Sequence, residues 1–266
     1  MLILVSPAKS LDYETKLRTR KFSEPRFVDK SAALIDVLRT KSPDDIADLM
    51  ELSQPLAELN VERYQEWEPS FDRKTSRPAI LAFNGDVYIG LDTARFGERD
   101  FTEAQKRLRI LSGLHGLLRP LDLIRPYRLE MGTQLQTSAG KNLYEFWGDQ
   151  ITDAINADLA ERHATTVVNL ASNEYFSAVK KKRVEAKIVT PFFLDEKNGD
   201  YKVISFFAKR ARGAMAAWIL LNRVKSARAL RAFDELGYQF DPARSTANSP
   251  TFVRSVGTTS SGVSAT

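Results

Sequence analysis

Between Leu2 and Phe240 the chain has no linker, internal repeat or low-complexity stretch, so every apolar segment in that span has to close on one shared core. Strand-like and helix-like patterns mix there without a regular strand–helix–strand rhythm. This predicts an α+β fold, a single mixed domain over residues 1–240, and disfavours a doubly wound sheet. At 266 residues such a chain can bury roughly 75% of its unfolded surface and needs neither disulfide nor metal to fold.

Leu2-Ile3-Leu4-Val5 is an apolar run that stops at Ser6-Pro7 and predicts a buried strand. An irregular arm follows through Pro25. Ala32, Leu34, Ile35 and Leu38 then lie at helical spacing. Ser42-Pro43 and Ser53-Gln54-Pro55 each open a helix, with serine as cap and proline in the first turn. Residues 101–111 read as an amphipathic helix with Lys106, Arg107 and Arg109 on one side, and residues 143–162 as another helix. Residues 165–170 are a β-branched strand. Residues 188–194 and 201–207 flank Asn198-Gly199, a pair that takes up a type I′ hairpin turn at little cost. Helices are expected over residues 208–222 and 226–233. Residues 241–266 read as a C-terminal tail, with the last ten expected to be disordered.

Cysteine is absent, which excludes disulfides, thiolate catalysis, iron–sulfur clusters and cysteine zinc sites. The two histidines, His115 and His163, stand far apart and outside metal-ligand spacing, so neither a metal nor a cofactor is expected. No apolar run approaches the ~18 residues of a membrane span. The start lacks the basic flank of a signal peptide, and the cytoplasm is the expected location. Charge is uneven. Residues 1–175 hold 23 Lys/Arg against 27 Asp/Glu, whereas residues 176–231 hold 14 against 4, net +10. A block this basic attracts polyanions through counterion release, although a solvated basic face gives the same composition.

Three segments concentrate candidate chemistry. Leu111-Ser112-Gly113-Leu114-His115-Gly116-Leu117-Leu118-Arg119 resembles a helix-hairpin-helix motif, whose hairpin holds DNA phosphates on backbone N–H groups without reading sequence. Its glycines stand three apart where the motif has two, and Pro120 falls where a second helix should run. A structural corner of the core is the alternative. Lys209, Arg210 and Arg212 form one turn, with Lys209 and Arg212 on a shared face beside Gly213. Cations there oppose the helix dipole unless an anion joins them. Lys180-Lys181-Lys182-Arg183 is the third, a basic loop. Ser6-Pro7-Ala8-Lys9 matches Ser-x-x-Lys only formally, since the partner motifs of that chemistry are missing. Asn169 ends an apolar strand, a usual place for a ligand site.

Leu2 to Lys9, Asn84-Gly85-Asp86-Val87-Tyr88, residues 111–131, Asn169-Leu170-Ala171-Ser172 and Ala208 to Gly213 occur in order. Together they resemble the bacterial YaaA family from Met1 to about Tyr238. The resemblance implies a one-domain mixed α/β fold particular to that family, with a helix-hairpin-helix-like element. It also implies binding of duplex or structured DNA, sequence-tolerantly, in a peroxide stress response that limits free iron and DNA damage. Asn84 stands where a lysine is expected, so no binding role is carried onto it. The DNA contact is then expected at Ser112, Gly113, Leu114, His115, Gly116 and Arg119, at Lys180, Lys181, Lys182 and Arg183, and at Lys209, Arg210 and Arg212. No membrane and no obligate protein partner is expected. The alternative is an enzyme acting on a nucleotide or another phosphorylated small molecule, in a pocket gathering Lys9, Arg128, Glu130, Asn169 and Tyr175 with Lys209 and Arg212.

Overall fold

A computed structural model describes residues 1–255. The N-terminal part runs β1 (Leu2–Val5), β2 (Ser10–Leu11), α1 (Val28–Arg39), α2 (Pro43–Met50), α3 (Gln54–Glu66), β3 (Arg77–Pro78), α4 (Ala79–Ala82) and β4 (Phe83–Asn84). Next come α5 (Asp86–Leu91), α6 (Glu98–Arg107), β5 (Leu108–Ser112), β6 (Gly116–Leu118), β7 (Leu123–Ile124), α7 (Leu143–Trp147) and α8 (Gln150–Glu161). The rest is β8 (Thr166–Leu170), α9 (Asn173–Phe176), β9 (Lys187–Val189), β10 (Phe192–Lys197), β11 (Asp200–Lys202), α10 (Ser205–Leu221), β12 (Gln239–Asp241) and β13 (Thr251–Arg254).

The elements form one α+β domain. A five-stranded sheet in the order β6-β5-β1-β8-β9 carries the core. Its β5, β1, β8 and β9 are parallel, and β6 returns antiparallel along β5. Leu2, Ile3, Leu4 and Val5 are fully buried because β1 sits at the centre with both faces covered, which is why its sequence is apolar without alternation. A second sheet, β11-β10-β13-β12, lies beyond it in sequence. Asn198 and Gly199 make the β10–β11 turn at φ of 56° and 82°, as their sequence predicts.

Several boundaries differ from expectation, each for a physical reason. The strand expected over 188–194 breaks at Pro191, which has no N–H for a ladder; β9 joins the first sheet and β10 the second. The helix expected over 143–162 divides at Gly148 into α7 and α8. The expected tail begins at the last residue of β12 and holds β13, which is paired between β10 and β12 with Phe252 fully buried; the expected disorder of the last ten residues lies outside the described residues. The amphipathic helix expected over 101–111 ends at Arg107. Arg109, read as part of its basic face, is fully buried in β5, where its Nε donates at 2.6 Å to Asp158, which also accepts from Arg26. Burial raises the Asp158 carboxyl, but the two guanidiniums outweigh it and leave its pKa below the ordinary range.

The helix-hairpin-helix element is corrected. Its flanks are strands, β5 and β6, and the turn between them faces the interior, with Ser112, Leu114 and His115 all fully buried. The Trp147 indole N–H donates at 2.9 Å to the Gly113 carbonyl, and Ser31 Oγ donates to the Leu114 carbonyl. A Cβ on Gly113 would lie 2.3 Å from the Leu129 carbonyl oxygen, and one on Gly116, at φ +64°, would lie 2.7 Å from the Trp147 ring. The glycines serve chain packing, and this backbone is closed to a phosphate.

α10 packs on α5 at backbone contact. A Cβ on Gly213 would sit 1.8 Å from the Val87 carbonyl oxygen, and one on Gly90 2.0 Å from that of Arg210. Gly213 thus answers to helix packing. Among the described residues no helix is long and apolar enough to cross a membrane.

Candidate functional site

Parallel strands place their C-terminal ends on one edge of the sheet. The chain leaves β1 toward β5 and leaves β8 toward β9, on opposite sides, so the two connections diverge and open a crevice at the ends of β1 and β8. Ser6 and Ser172 lock those ends together. The Ser172 N–H donates to Ser6 Oγ at 2.9 Å, Ser6 Oγ donates to Ser172 Oγ at 3.3 Å, and Ser172 Oγ accepts from the Tyr175 N–H to cap α9. The Tyr88 hydroxyl of α5 donates to the Ser6 carbonyl at 3.1 Å.

Above this junction lies a pocket of about 330 Å³, walled by the loop after β1, the start of α5, Glu130, the β8–α9 turn, and Lys209 and Arg212 of α10. Lys9 Nζ is 2.7 Å from one Glu130 oxygen and Arg128 is 2.9 Å from the other, so Glu130 is held between two cations. Glu174 accepts from the Gly132 N–H at 3.0 Å. Tyr175 is buried; burial first, then the nearby Glu174, Tyr127 and Glu130, holds its phenol well above the ordinary value, so the hydroxyl stays protonated. A wider pocket of about 730 Å³ adjoins, sharing Lys9, Glu130 and Glu174 and reaching α2.

The cations divide into satisfied and unsatisfied. Arg210 lies 4.0 Å from Asp86 and over the Phe206 ring. Arg183 is paired with Asp149 and Asp153, and Lys181 lies over the Phe176 ring. Arg119 is bound to Asp122 and to the Glu24 carbonyl. Lys209 and Arg212, by contrast, meet no carboxylate at ion-pair distance among the described residues, and both line the 330 Å³ pocket. Arg212 is half-buried, and the loss of solvent pulls its guanidinium pKa below the usual value. α10 begins at Ser205, three residues before the expected start, so Lys209 and Arg212 project from its second and third turns on a shared face. A partly desolvated cation without a partner is unfavourable until an anion joins it.

Of the residues expected to form a pocket, Lys9, Glu130, Tyr175, Lys209 and Arg212 come together. Arg128 lines the adjoining pocket, and Asn169 lies below, its amide oxygen accepting from the Ala171 N–H at 3.1 Å and shaping the strand end. Ser112, Gly113, Leu114, His115 and Gly116 are absent from this lining, and Lys180 and Lys182 lie exposed on the loop after α9. Ser6, Asp86, Ser172 and Glu174 belong to the site without having been singled out for it. Ser6 was singled out only with Lys9; here Lys9 bonds Glu130, and Ser6 bonds Ser172. No group of three or more His, Asp or Glu suited to a metal ion occurs among the described residues.

Known proteins match along nearly the whole chain. A UPF0246 protein of Idiomarina loihiensis is 55% identical over 254 residues, covering 96% of this chain and 98% of its own. UPF0246 proteins of Aliivibrio fischeri and Cellvibrio japonicus are 54% and 50% identical over the same length, again covering 96% of this chain and 98% of theirs. Residues 1–244, which hold every side chain of the pocket, match the family of the peroxide stress protein YaaA, and the chain belongs to that family.

Proposed function

We propose that this chain serves the peroxide stress response by binding DNA through its phosphates, sequence-tolerantly, with the crevice at β1 and β8 as the anchor and the exposed Lys180 and Lys182 as outlying contacts. The observation that carries the reading is the pair Lys209 and Arg212, unpaired and converging on one pocket in the most basic part of the chain. The hairpin at residues 112–116 has no part in it, and neither do Arg119 and Arg183, whose charges are already met inside the protein, nor Arg210, which lies 4.0 Å from Asp86 with its Nε buried. Limiting DNA damage follows from occupancy of the strand. Limiting free iron belongs to the same proposal, with no metal-binding cluster among the described residues to support it directly. Mobility shifts on duplex, single-stranded and branched DNA across a salt series test the reading. The log–log slope should be about −0.9 per duplex phosphate engaged, and Lys209→Ala with Arg212→Ala should weaken binding while thermal stability holds. A slope near zero, strong preference for one sequence, or unchanged affinity in the double variant refutes it.

A second reading, an enzyme on a nucleotide or other phosphorylated small molecule, is favoured by one specific feature: Glu130 lines the same enclosed pocket as Lys209 and Arg212. Turnover of a phosphate ester that is lost in Glu130→Gln would establish it.

A further inference from the structure

We propose that the pocket between β1, β8 and α10 receives a single nucleotide unit, its phosphate on Arg212 and Lys209 and its sugar–base end against the carboxylates of Glu130 and Glu174. The inference rests on the DNA-binding reading and adds what enters the pocket. Three observations carry it. The volume, about 330 Å³, falls at the lower end of the roughly 300–1,000 Å³ usual for small-ligand sites, enough for one nucleotide and far too small for a duplex segment. Arg212 is recessed in that pocket, so a phosphate that reaches it brings its attached sugar and base inside. The lining also has two chemical ends. α10 supplies free cations, while Glu174 and Glu130, from α9 and the loop after β7, supply acceptors for hydroxyl and amino donors. At that end Lys9 and Arg128 are already engaged by Glu130, whereas the uncommitted cations lie on α10, so the lining suits a phosphomonoester with a donor-rich body better than a polyphosphate. From a polymer, such a unit comes from a strand end or a nucleotide turned out of the stack, which costs least where pairing is already lost.

The test titrates the whole protein with dAMP, deoxyadenosine and inorganic phosphate, and then with closed circular duplex, intact or carrying one unpaired nucleotide, and with a 5′-phosphorylated linear duplex. dAMP should bind more tightly than either fragment, and Arg212→Gln should weaken it at least tenfold, the scale of one charge-assisted hydrogen bond. Among the described residues Arg212 has no hydrogen-bond or ion-pair partner to orphan, so the variant should keep its fold, and a thermal melt verifies this. Preference for the unpaired circle identifies an extruded nucleotide, and preference for the phosphorylated linear duplex a strand end. Equal binding of dAMP and inorganic phosphate overturns the nucleotide site, as does a dAMP affinity untouched by Arg212→Gln. If DNA binds with a steep salt slope while dAMP does not bind, this inference falls and the DNA reading stands. If dAMP binds through Arg212 while no DNA binds, the DNA reading falls and the nucleotide site stands.

Discussion

Gly213→Ala separates a packing glycine from an ordinary helical one by the sign of its effect. In an unconstrained helix interior, glycine to alanine stabilises by about 1 kcal/mol. Here the new Cβ would lie 1.8 Å from the Val87 carbonyl oxygen and 2.7 Å from the Leu91 nitrogen, both main-chain atoms of α5. Neither can swing aside as a side chain would. A carbon settles about 3.3 Å or more from a carbonyl oxygen, so α5 and α10 must part by more than an ångström. That opens the contact that Gly213 and Gly90 allow the two helices to make at backbone distance. Overpacking of this kind costs about 1–3 kcal/mol, and more where backbone must move. Taking the upper end and subtracting the propensity gain leaves about 2 kcal/mol lost. In a domain of this size that lowers Tm by roughly 4–8 °C. Because the start of α5 and the first turns of α10 face each other across the pocket, dAMP and DNA affinity should fall as well. Scanning calorimetry of the variant is the assay, and an unchanged or raised Tm would refute the packing argument.

Gly116→Val should lower Tm, since φ is +64° and the Trp147 ring fills the space, while the folded fraction binds DNA as the parent does; normal Tm with lost affinity would return the hairpin to the binding surface. His115 is fully buried with Nδ1 on Ser31, and burial lowers its pKa from 6.5 to about 3, so the folded protein holds it neutral while the unfolded chain takes up a proton below 6.5. Its contribution is therefore complete above pH 6.5 and is lost as pH falls toward 3, at about 1.4 kcal/mol per pH unit. Urea melts between pH 6 and 4.5 should show a slope shallower by about one proton in His115→Gln than in the parent; equal slopes would contradict a buried neutral imidazole.

Local chemistry carried much of the fold into the sequence. Leu2 to Val5 read as a buried strand because a central parallel strand is apolar on both faces, and Ser42-Pro43 read as a helix start because a serine cap and a first-turn proline are local signals, to which the structure adds a capping box with Asp45. What stayed hidden depends on partners distant in sequence. The charge on Arg109 made β5 look like an amphipathic helix, since Asp158, which satisfies that charge, lies 49 residues away. Leu114, Leu117 and the two glycines resemble a DNA-binding hairpin despite the wider glycine spacing, and Trp147 and Leu129, folded against them, turn the same residues into a core corner. Lys209 and Arg212 were legible as a basic pair sharing a helical face, although the helix starts at Ser205 and not at the expected residue 208. Ser6 and Ser172 were not, because their hydroxyls meet across 166 residues.

The pocket follows from the order of the strands. β1 is made first and ends up at the centre; the chain builds β5 and β6 on one side of it and then β8 and β9 on the other. Wherever successive connections diverge in this way, no crossover covers the gap between the two strand ends, and the sheet leaves a crevice that side chains must close. Ser6 and Ser172 close its floor with paired hydroxyls. α10 then reaches the crevice from the other end of the sequence, brought to backbone contact with α5 by Gly213 and Gly90, so its first turns arrive with Lys209 and Arg212 over the strand ends. Arg212 is partly desolvated there, and among the described residues no carboxylate lies at ion-pair distance from it. An uncompensated, partly buried cation thus stands where the strand order also leaves space, and that coincidence is what the proposed phosphate site rests on.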